Sequence, residues 1–175
     1  LLVLQKPPHK FLPRIFELVR DLFLAREHGS RLDLDQRAGD VEKVAHGPFF
    51  RAIWPHRAIC PVDNWFEWVD AGDGTRQPWL IRRRDQGPVF CAAIGQFPMG
   101  GAAPRDDDGF VIITADSAGG MLDVHDRRPV VFNAELAREW LDPATPRERA
   151  EQMALLQGED SGAFEWYRVD KAVGN

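Results

Sequence analysis

After about residue 41, apolar side chains fall in short runs separated by turn residues, which is the pattern of a sheet protein. The segment 70–74, with its Asp and Gly residues, predicts a hairpin tip, and 98–101 predicts another turn. The short spacing of the apolar runs favours antiparallel pairing. The predicted strands are 58–60, 65–69, 79–81, 89–94, 109–114 and 164–169.

Apolar residues at helical spacing predict helices in three other places. Residues 11–27 predict an amphipathic helix, followed by a polar stretch over 28–40. Residues 135–141 and 146–157 predict two further helices, which end at Pro143 and Gly158. The pattern as a whole predicts an α+β fold, with an antiparallel sheet or barrel-like core and flanking helices.

Composition and charge narrow the classes of function. A chain of 175 residues with 44% hydrophobic residues is long enough for one domain with a substantial core. The formal net charge of −5 argues against non-specific binding to duplex DNA, which needs a broad basic face, so any nucleic-acid site must be local. Arginines cluster at 51–57, 82–84 and 127–128, and ion pairs at a strand edge are expected for 82–84.

The two cysteines, Cys60 and Cys91, lie in apolar surroundings without the spacing of a zinc site or a disulfide framework. Both are therefore expected to be small core residues. The apolar stretch 1–4 is too short for a membrane span or a signal peptide and is soon followed by prolines at 7–8. We expect a cytoplasmic protein that holds no metal.

Two strings carry candidate chemistry. Glu67 lies among aromatic residues in the run 65–68, where burial of a carboxylate is costly unless the group is paired or protonated. Further along, His125 and Arg127 supply an imidazole and a fixed positive charge. On its own, the pairing of His125 with Asp126 favours a structural ion pair that caps a turn.

Several strings together resemble one protein family. Residues 58–68 read Ala-Ile-Cys-Pro-Val-Asp-Asn-Trp-Phe-Glu-Trp, residues 112–115 read Ile-Ile-Thr-Ala, and residues 125–130 read His-Asp-Arg-Arg-Pro-Val. In this order they resemble the SRAP family, the SOS-response-associated peptidases, which include sensors of abasic sites in single-stranded DNA. Two departures are small: Asn64 stands where the family has Gly, and Arg128 where it has Met. The resemblance covers about residues 41–175 and implies the SRAP fold.

The resemblance implies roles for the candidate residues. Members of the family capture the ring-opened aldehyde of an abasic deoxyribose as a thiazolidine, through the amine and thiol of an amino-terminal cysteine. By this resemblance Glu67, with a raised pKa, and His125 are catalytic residues that move protons.

The expected DNA contacts are of two kinds. Cations and a hydroxyl would hold phosphates, and tryptophan rings would stack on an unpaired base. For the two tryptophans a plain core role on a half-buried strand stays open. The residues expected to bind DNA are Arg127, Thr114, Trp65, Trp68 and Arg57.

The amino-terminal part departs from the family. The family begins Met-Cys-Gly-Arg and later carries Asn-Ala-Arg, and residues 1–40 contain neither string. GC-rich codons for Ile-Asn-Ala-Arg, read from their third base, give Gln-Arg-Ala-Gly, which is the string at 36–39. We therefore interpret 1–40 as a non-matching, out-of-frame segment, and 41–175 as an SRAP domain without its amino-terminal strand and carboxy-terminal tail. A divergent member with an unrelated amino terminus is the alternative.

Three classes of function follow from the resemblance. The first is abasic-site sensing and processing on single-stranded DNA, with covalent activity expected to be lost because a thiazolidine needs an amine and a thiol on one residue. The second is a cysteine-dependent peptidase or autopeptidase of the SOS response, and the third is a degenerate DNA-binding protein without catalysis. No cofactor is implied, and we expect a monomer that associates with the nucleoid during DNA damage.

Overall fold

The structure, a computed structural model, describes residues 3–5, 39–40, 56–96 and 109–174. The predicted helix at 11–27 lies outside these residues, as do the predicted turn at 98–101 and Arg51. No helix within the described ranges is long and apolar enough to cross a membrane.

The described chain forms two sheets and two α-helices. Every strand and helix predicted within these ranges is confirmed, with bounds that shift by a few residues. Strands β1, β2, β8 and β9 are additional, because they are too short to show a period of their own. In chain order the elements are β1 Val3–Gln5, β2 Gly39–Asp40, β3 Arg57–Val62, β4 Asn64–Asp70, β5 Arg76–Arg83, β6 Val89–Gln96, β7 Gly109–Asp116, β8 Arg127–Pro129, β9 Val131–Phe132, α1 Ala134–Leu141, α2 Arg147–Leu156 and β10 Phe164–Arg168.

The first sheet is four-stranded and antiparallel, in the order β1-β4-β5-β10. The predicted hairpin tip between β4 and β5 is confirmed. Gly72 and Gly74 there have φ values of 78° and 80°, a region that residues with a side chain rarely adopt. The Asp70 carboxylate accepts from the Gly72 N–H at 2.8 Å, which fixes the start of the turn.

The second sheet contains a fork that positions the candidate site. Its strand order is β2-β7-β6-β3, and β6 and β7 pair antiparallel only as far as Ala93 and Ile112. Beyond that point the β8–β9 segment separates them. Val130 bridges the fork: its carbonyl accepts from Ala92 N–H and its N–H donates to the Ile113 carbonyl, each at 2.8 Å. The last residues of β7 and the first of β8 therefore lie together at the sheet edge.

Strict alternation along the central strands builds two core layers. One face of the second sheet packs against the helices through residues such as Ile59 and Ile113, with Trp140 of α1 fully buried there. The other face packs against the first sheet. Cys60 and Cys91 are cross-strand neighbours in this second layer and both are buried, which confirms their core role. The fold is α+β, as predicted, and the described strands do not close into a barrel.

Arg82 and Arg83 of the run 82–84 make ion pairs, as predicted, whereas Arg84 Nε donates to the Gly162 carbonyl at 3.1 Å. Arg82 Nε lies 2.6 Å from Glu165 Oε1 on the neighbouring strand β10. Arg83 pairs with Asp85 at 2.9 Å and also with Glu159 beyond α2. The pairs with Glu165 and Glu159 connect β5 to the last part of the chain.

Candidate functional site

Glu67 is a buried carboxylate on the inner face of the first sheet. It is 5% exposed and lies two residues after Trp65, so both side chains point towards the second sheet. Trp65 is 1% exposed and meets the edge of Phe164 at a ring-centroid distance of 5.4 Å. A ring enclosed in this way has no face open to a base, which fits the alternative core interpretation of Trp65.

Trp68 lies on the opposite face of β4 from Glu67. Strand alternation places it with Phe66, and the two ring centroids are 6.1 Å apart. Trp68 is half-buried, so part of its ring is open to solvent. The structure therefore does not bring Trp68 together with Glu67, because adjacent residues of a strand point to opposite faces, and the predicted stacking role of Trp68 stays a prediction.

Thr114 occupies the corresponding inner face of the second sheet. It is 7% exposed and lies near the end of β7, two residues after Ile112. Ile112 packs in the same core layer as Trp65, so Glu67 and Thr114 both lie on sheet faces that turn towards each other. Glu67 and the fork of the second sheet therefore both border the core layer between the two sheets.

Arg127, on β8, is fixed by two partners from β7. Its Nη2 donates to the Thr114 carbonyl at 2.7 Å and to Thr114 Oγ1 at 3.2 Å. Its Nη1 donates to Asp116 Oδ1 at 2.6 Å, where the two strands are in direct register. The structure therefore joins Arg127 to Thr114, two of the residues predicted to hold phosphate.

His125 precedes Arg127 and is held through one ring nitrogen. Nδ1 lies 3.0 Å from both the backbone N and the backbone O of Arg127, and 3.1 Å from Asp126 Oδ1. Nδ1 can accept from the N–H or donate to either oxygen, so both neutral tautomers and the charged ring are accommodated. The side chain is 38% exposed, and these contacts of the ring are all made by Nδ1. The predicted pairing with Asp126 is present without excluding proton transfer.

Arg57 has a structural position at the end of α1, and its predicted role as a DNA contact stays a prediction. Its Nε donates to the Trp140 carbonyl at 2.7 Å, and its Nη2 donates to the carbonyls of Asp142 and Thr145 at 2.9 and 3.0 Å. Carbonyls at a helix carboxyl end carry partial negative charge and lack partners within the helix. Burial lowers the pKa of Arg57, against a smaller opposing effect of Asp142.

Two residues of the site region escaped the sequence analysis. Asp116 ends β7 one residue beyond Ala115, and its pairing with Arg127 depends on the fork, which no local pattern shows. Arg128 points away from Arg127, and its Nε and Nη1 are buried without a hydrogen-bond partner. Burial lowers its pKa, with Asp160 and Glu159 acting in the opposite direction. The departure from Met at this position was the one available signal. Within the described ranges, no group of three or more His, Cys, Asp or Glu side chains is placed to hold a metal ion.

The domain consists of two packed sheets with helices on one outer face. It carries an inward-facing glutamate, and it holds Thr114, His125 and Arg127 at the fork of the second sheet. The family model of the SOS response associated peptidases, SRAP, matches residues 35–175, and the chain therefore belongs to the SRAP family. The matched region begins a few residues before the predicted boundary at 41.

Curated relatives carry names that refer to one kind of lesion. The chain is 42% identical over 138 residues to the abasic site processing protein YedK of Escherichia coli, a match that covers 77% of this chain and 60% of that protein. It is 29% identical over 139 residues to the abasic site processing protein YoqW of Bacillus subtilis, with the same coverage. The chain thus spans about three fifths of the length of these relatives.

Solved structures show the same fold. A phage-related protein from Bordetella bronchiseptica superposes with a TM-score of 0.66 at 38% identity, over 82% of this chain and 67% of that one. A protein from Bacteroides thetaiotaomicron superposes with a TM-score of 0.61 at 20% identity, over 77% of this chain and 58% of that one, which speaks for the fold alone.

Proposed function

We propose that this chain is the core of an abasic-site processing protein that binds single-stranded DNA. The observation that carries the proposal is the geometry at the fork, where Arg127 is anchored on Thr114 beside a half-exposed His125, in the interior that also holds Glu67. A local cation of this kind suits a chain with a net charge of −5, which has no general attraction for nucleic acid. The names of the YedK and YoqW relatives support the same reading.

Each side chain has a task in this proposal. Arg127 holds a phosphate beside the lesion, since its guanidinium is fixed in orientation and carries charge-assisted donors. His125 moves a proton through Nε2 while Nδ1 remains anchored to the backbone. Glu67 transfers protons to and from the group that attacks the aldehyde, because a carboxylate in a water-poor interior is suited to general acid and base catalysis.

The covalent step needs a residue that supplies both an amine and a thiol. The amine adds to the aldehyde carbon, water leaves to give an imine, and the thiol adds to the imine carbon to close the thiazolidine ring. Cys60 and Cys91 are internal and buried, so their nitrogens are in peptide bonds and their thiols are enclosed. We therefore propose non-covalent binding for the chain as given, and covalent capture when an amino-terminal Cys-Gly-Arg segment is present.

Denaturing electrophoresis of labelled single-stranded DNA with one abasic site tests this proposal. The chain is compared with a version that begins Cys-Gly-Arg, and Glu67→Gln in that version is the matched control for proton transfer. A shifted band with the Cys-Gly-Arg version alone, weakened by Glu67→Gln, is the expected result. A shifted band with the chain as given would mean that another amine, such as that of a lysine, captures the aldehyde, and would contradict the proposed nucleophile.

Three other outcomes are informative. Cleavage of a peptide without any shifted DNA would favour the peptidase class. Binding without crosslinking by both versions would remove the role of the cysteine and favour the degenerate DNA-binding class. Absence of both a shifted band and measurable DNA binding by either version would contradict the proposed DNA site.

A further inference from the structure

Asp116 places a carboxylate directly on the proposed phosphate-binding arginine. It ends β7 and lies opposite Arg127 in the register of β7 and β8. Its side chain is 86% exposed, whereas that of Arg127 is 26% exposed, and Oδ1 lies 2.6 Å from Nη1. An exposed anion therefore occupies the outward-facing donor of a mostly enclosed cation.

The two ends of the guanidinium are held in different ways. Nη2 is fixed by the backbone carbonyl and hydroxyl of Thr114, which is 7% exposed. Nη1 is fixed by a side chain that solvent surrounds, and exposed ion pairs are weak and easily exchanged. A phosphate oxygen that approaches from solvent meets Nη1, and it cannot share that donor with a carboxylate without like-charge repulsion.

We propose that Asp116 is a positioning residue that holds Arg127 in the free protein and gives way to a DNA phosphate on binding. The inference rests on the proposed function, because it needs single-stranded DNA as the ligand. While Nη2 stays on Thr114, the carboxylate leaves Nη1 and the phosphate takes its place. Asp116 thus keeps the guanidinium oriented and at the same time lowers the affinity for DNA.

Asp116→Asn tests the exchange, and Asp123→Asn is its matched control. Both variants remove one negative charge from an exposed side chain, and Asp123 lies two residues before His125 and forms no ion pair among the described residues. Fluorescence anisotropy with an undamaged, labelled single-stranded oligonucleotide at low salt gives the Kd. We expect Asp116→Asn to lower the Kd about threefold to fivefold, the size of an exposed ion pair, and Asp123→Asn to lower it less than twofold.

The same substitutions in an Arg127→Gln variant distinguish the proposed exchange of Asp116 for a phosphate from a general effect of charge. In Arg127→Gln the guanidinium is absent, so adding Asp116→Asn should change the Kd no more than adding Asp123→Asn does. Equal effects of the two Asn variants with Arg127 intact would overturn the inference, as would weaker binding by Asp116→Asn. If the unmodified chain and all variants fail to bind, while their thermal midpoints agree, the proposed function itself fails and the inference falls with it.

Discussion

Arg127 and Arg128 are neighbours on β8, yet strand alternation sends their side chains to opposite faces of the sheet. Arg127 meets Thr114 and Asp116, which satisfy its donors while leaving an exchangeable partner at the surface. Arg128 turns two nitrogens into an enclosed region without a hydrogen-bond partner. The same residue type thus serves a proposed site on one face and costs stability on the other.

The comparison shows that partners, more than residue type, decide what a charged side chain does. A buried guanidinium without hydrogen bonds loses its hydration and regains little. Among the described residues, Asp160 and Glu159 attract Arg128 at longer range. Nothing in the structure explains why Arg replaces the Met of the family at this position.

Arg127→Ala tests the proposed DNA-binding role of Arg127 and has the largest expected effect. Loss of charge-assisted hydrogen bonds worth about 1.5–3 kcal/mol should weaken binding to single-stranded DNA by roughly 10- to 100-fold. Fluorescence anisotropy titrations at fixed salt measure the change. Arg128→Met is the matched control, since it removes the same charge from the opposite face, and it should alter the Kd less than about threefold. Similar losses in both variants would mean that only net charge matters.

Arg57→Ala tests a third arginine, which donates hydrogen bonds to backbone carbonyls. Three hydrogen bonds to the carboxyl end of α1 disappear, and the carbonyls of Trp140, Asp142 and Thr145 lose their charged donor. We expect the free energy of unfolding to fall by about 2–3 kcal/mol. Urea titration followed by tryptophan fluorescence measures it, and Arg57→Lys, which keeps the charge without the planar fork, should recover only part of the loss. An unchanged unfolding midpoint in Arg57→Ala would contradict the structural role.

Arg128→Met tests whether the buried guanidinium of Arg128 destabilises the fold. An apolar side chain of similar length removes the unpartnered buried donors, so the free energy of unfolding should rise by about 1–2 kcal/mol. Differential scanning calorimetry should show a higher thermal midpoint. Arg128→Lys, which retains a buried charge, should give no such gain. A lower midpoint in Arg128→Met would show that the attraction from Asp160 and Glu159 outweighs the loss of hydration.

Local periodicity predicted most of the fold, because the second sheet alternates between two buried layers. Residues such as Ile59 and Cys60, adjacent on β3, belong to different layers, and such runs are recognisable as strands from sequence. The fork escaped prediction, since β8 and β9 are short and their pairing with β7 and β6 depends on distant residues. Strands could therefore be predicted where the pattern of buried residues is local. The pairing of β8 and β9 with distant strands could not be predicted.

The candidate site was predictable only in part for the same reason. Thr114 and Arg127 came from a family resemblance, and the structure brings them together. Trp68 lies on the opposite face of β4 from Glu67 because adjacent residues on a strand point to opposite faces, so closeness in sequence does not mean closeness in space. The contacts of Arg57 with the end of α1 could not be predicted from its neighbours in sequence, because a guanidinium suits helix carbonyls and phosphates equally well.

Asp85→Asn tests a carboxylate that is exposed and well partnered, in contrast to the buried guanidinium of Arg128. It has the smallest expected effect. The hydrogen bond from Arg83, with smaller contributions from the Gly87 N–H and the charge of Arg83, lowers the pKa of Asp85 from 3.8 to about 2. A lowered pKa means that the carboxylate stabilises the folded state above about pH 4, and that this contribution is lost as the pH falls towards 2. Because Asp85 is 60% exposed, solvent screening limits the contribution to less than about 1 kcal/mol. Thermal midpoints should therefore differ slightly between the two proteins at pH 7 and converge below pH 3, and a difference that grew on acidification would contradict the sign of the effect.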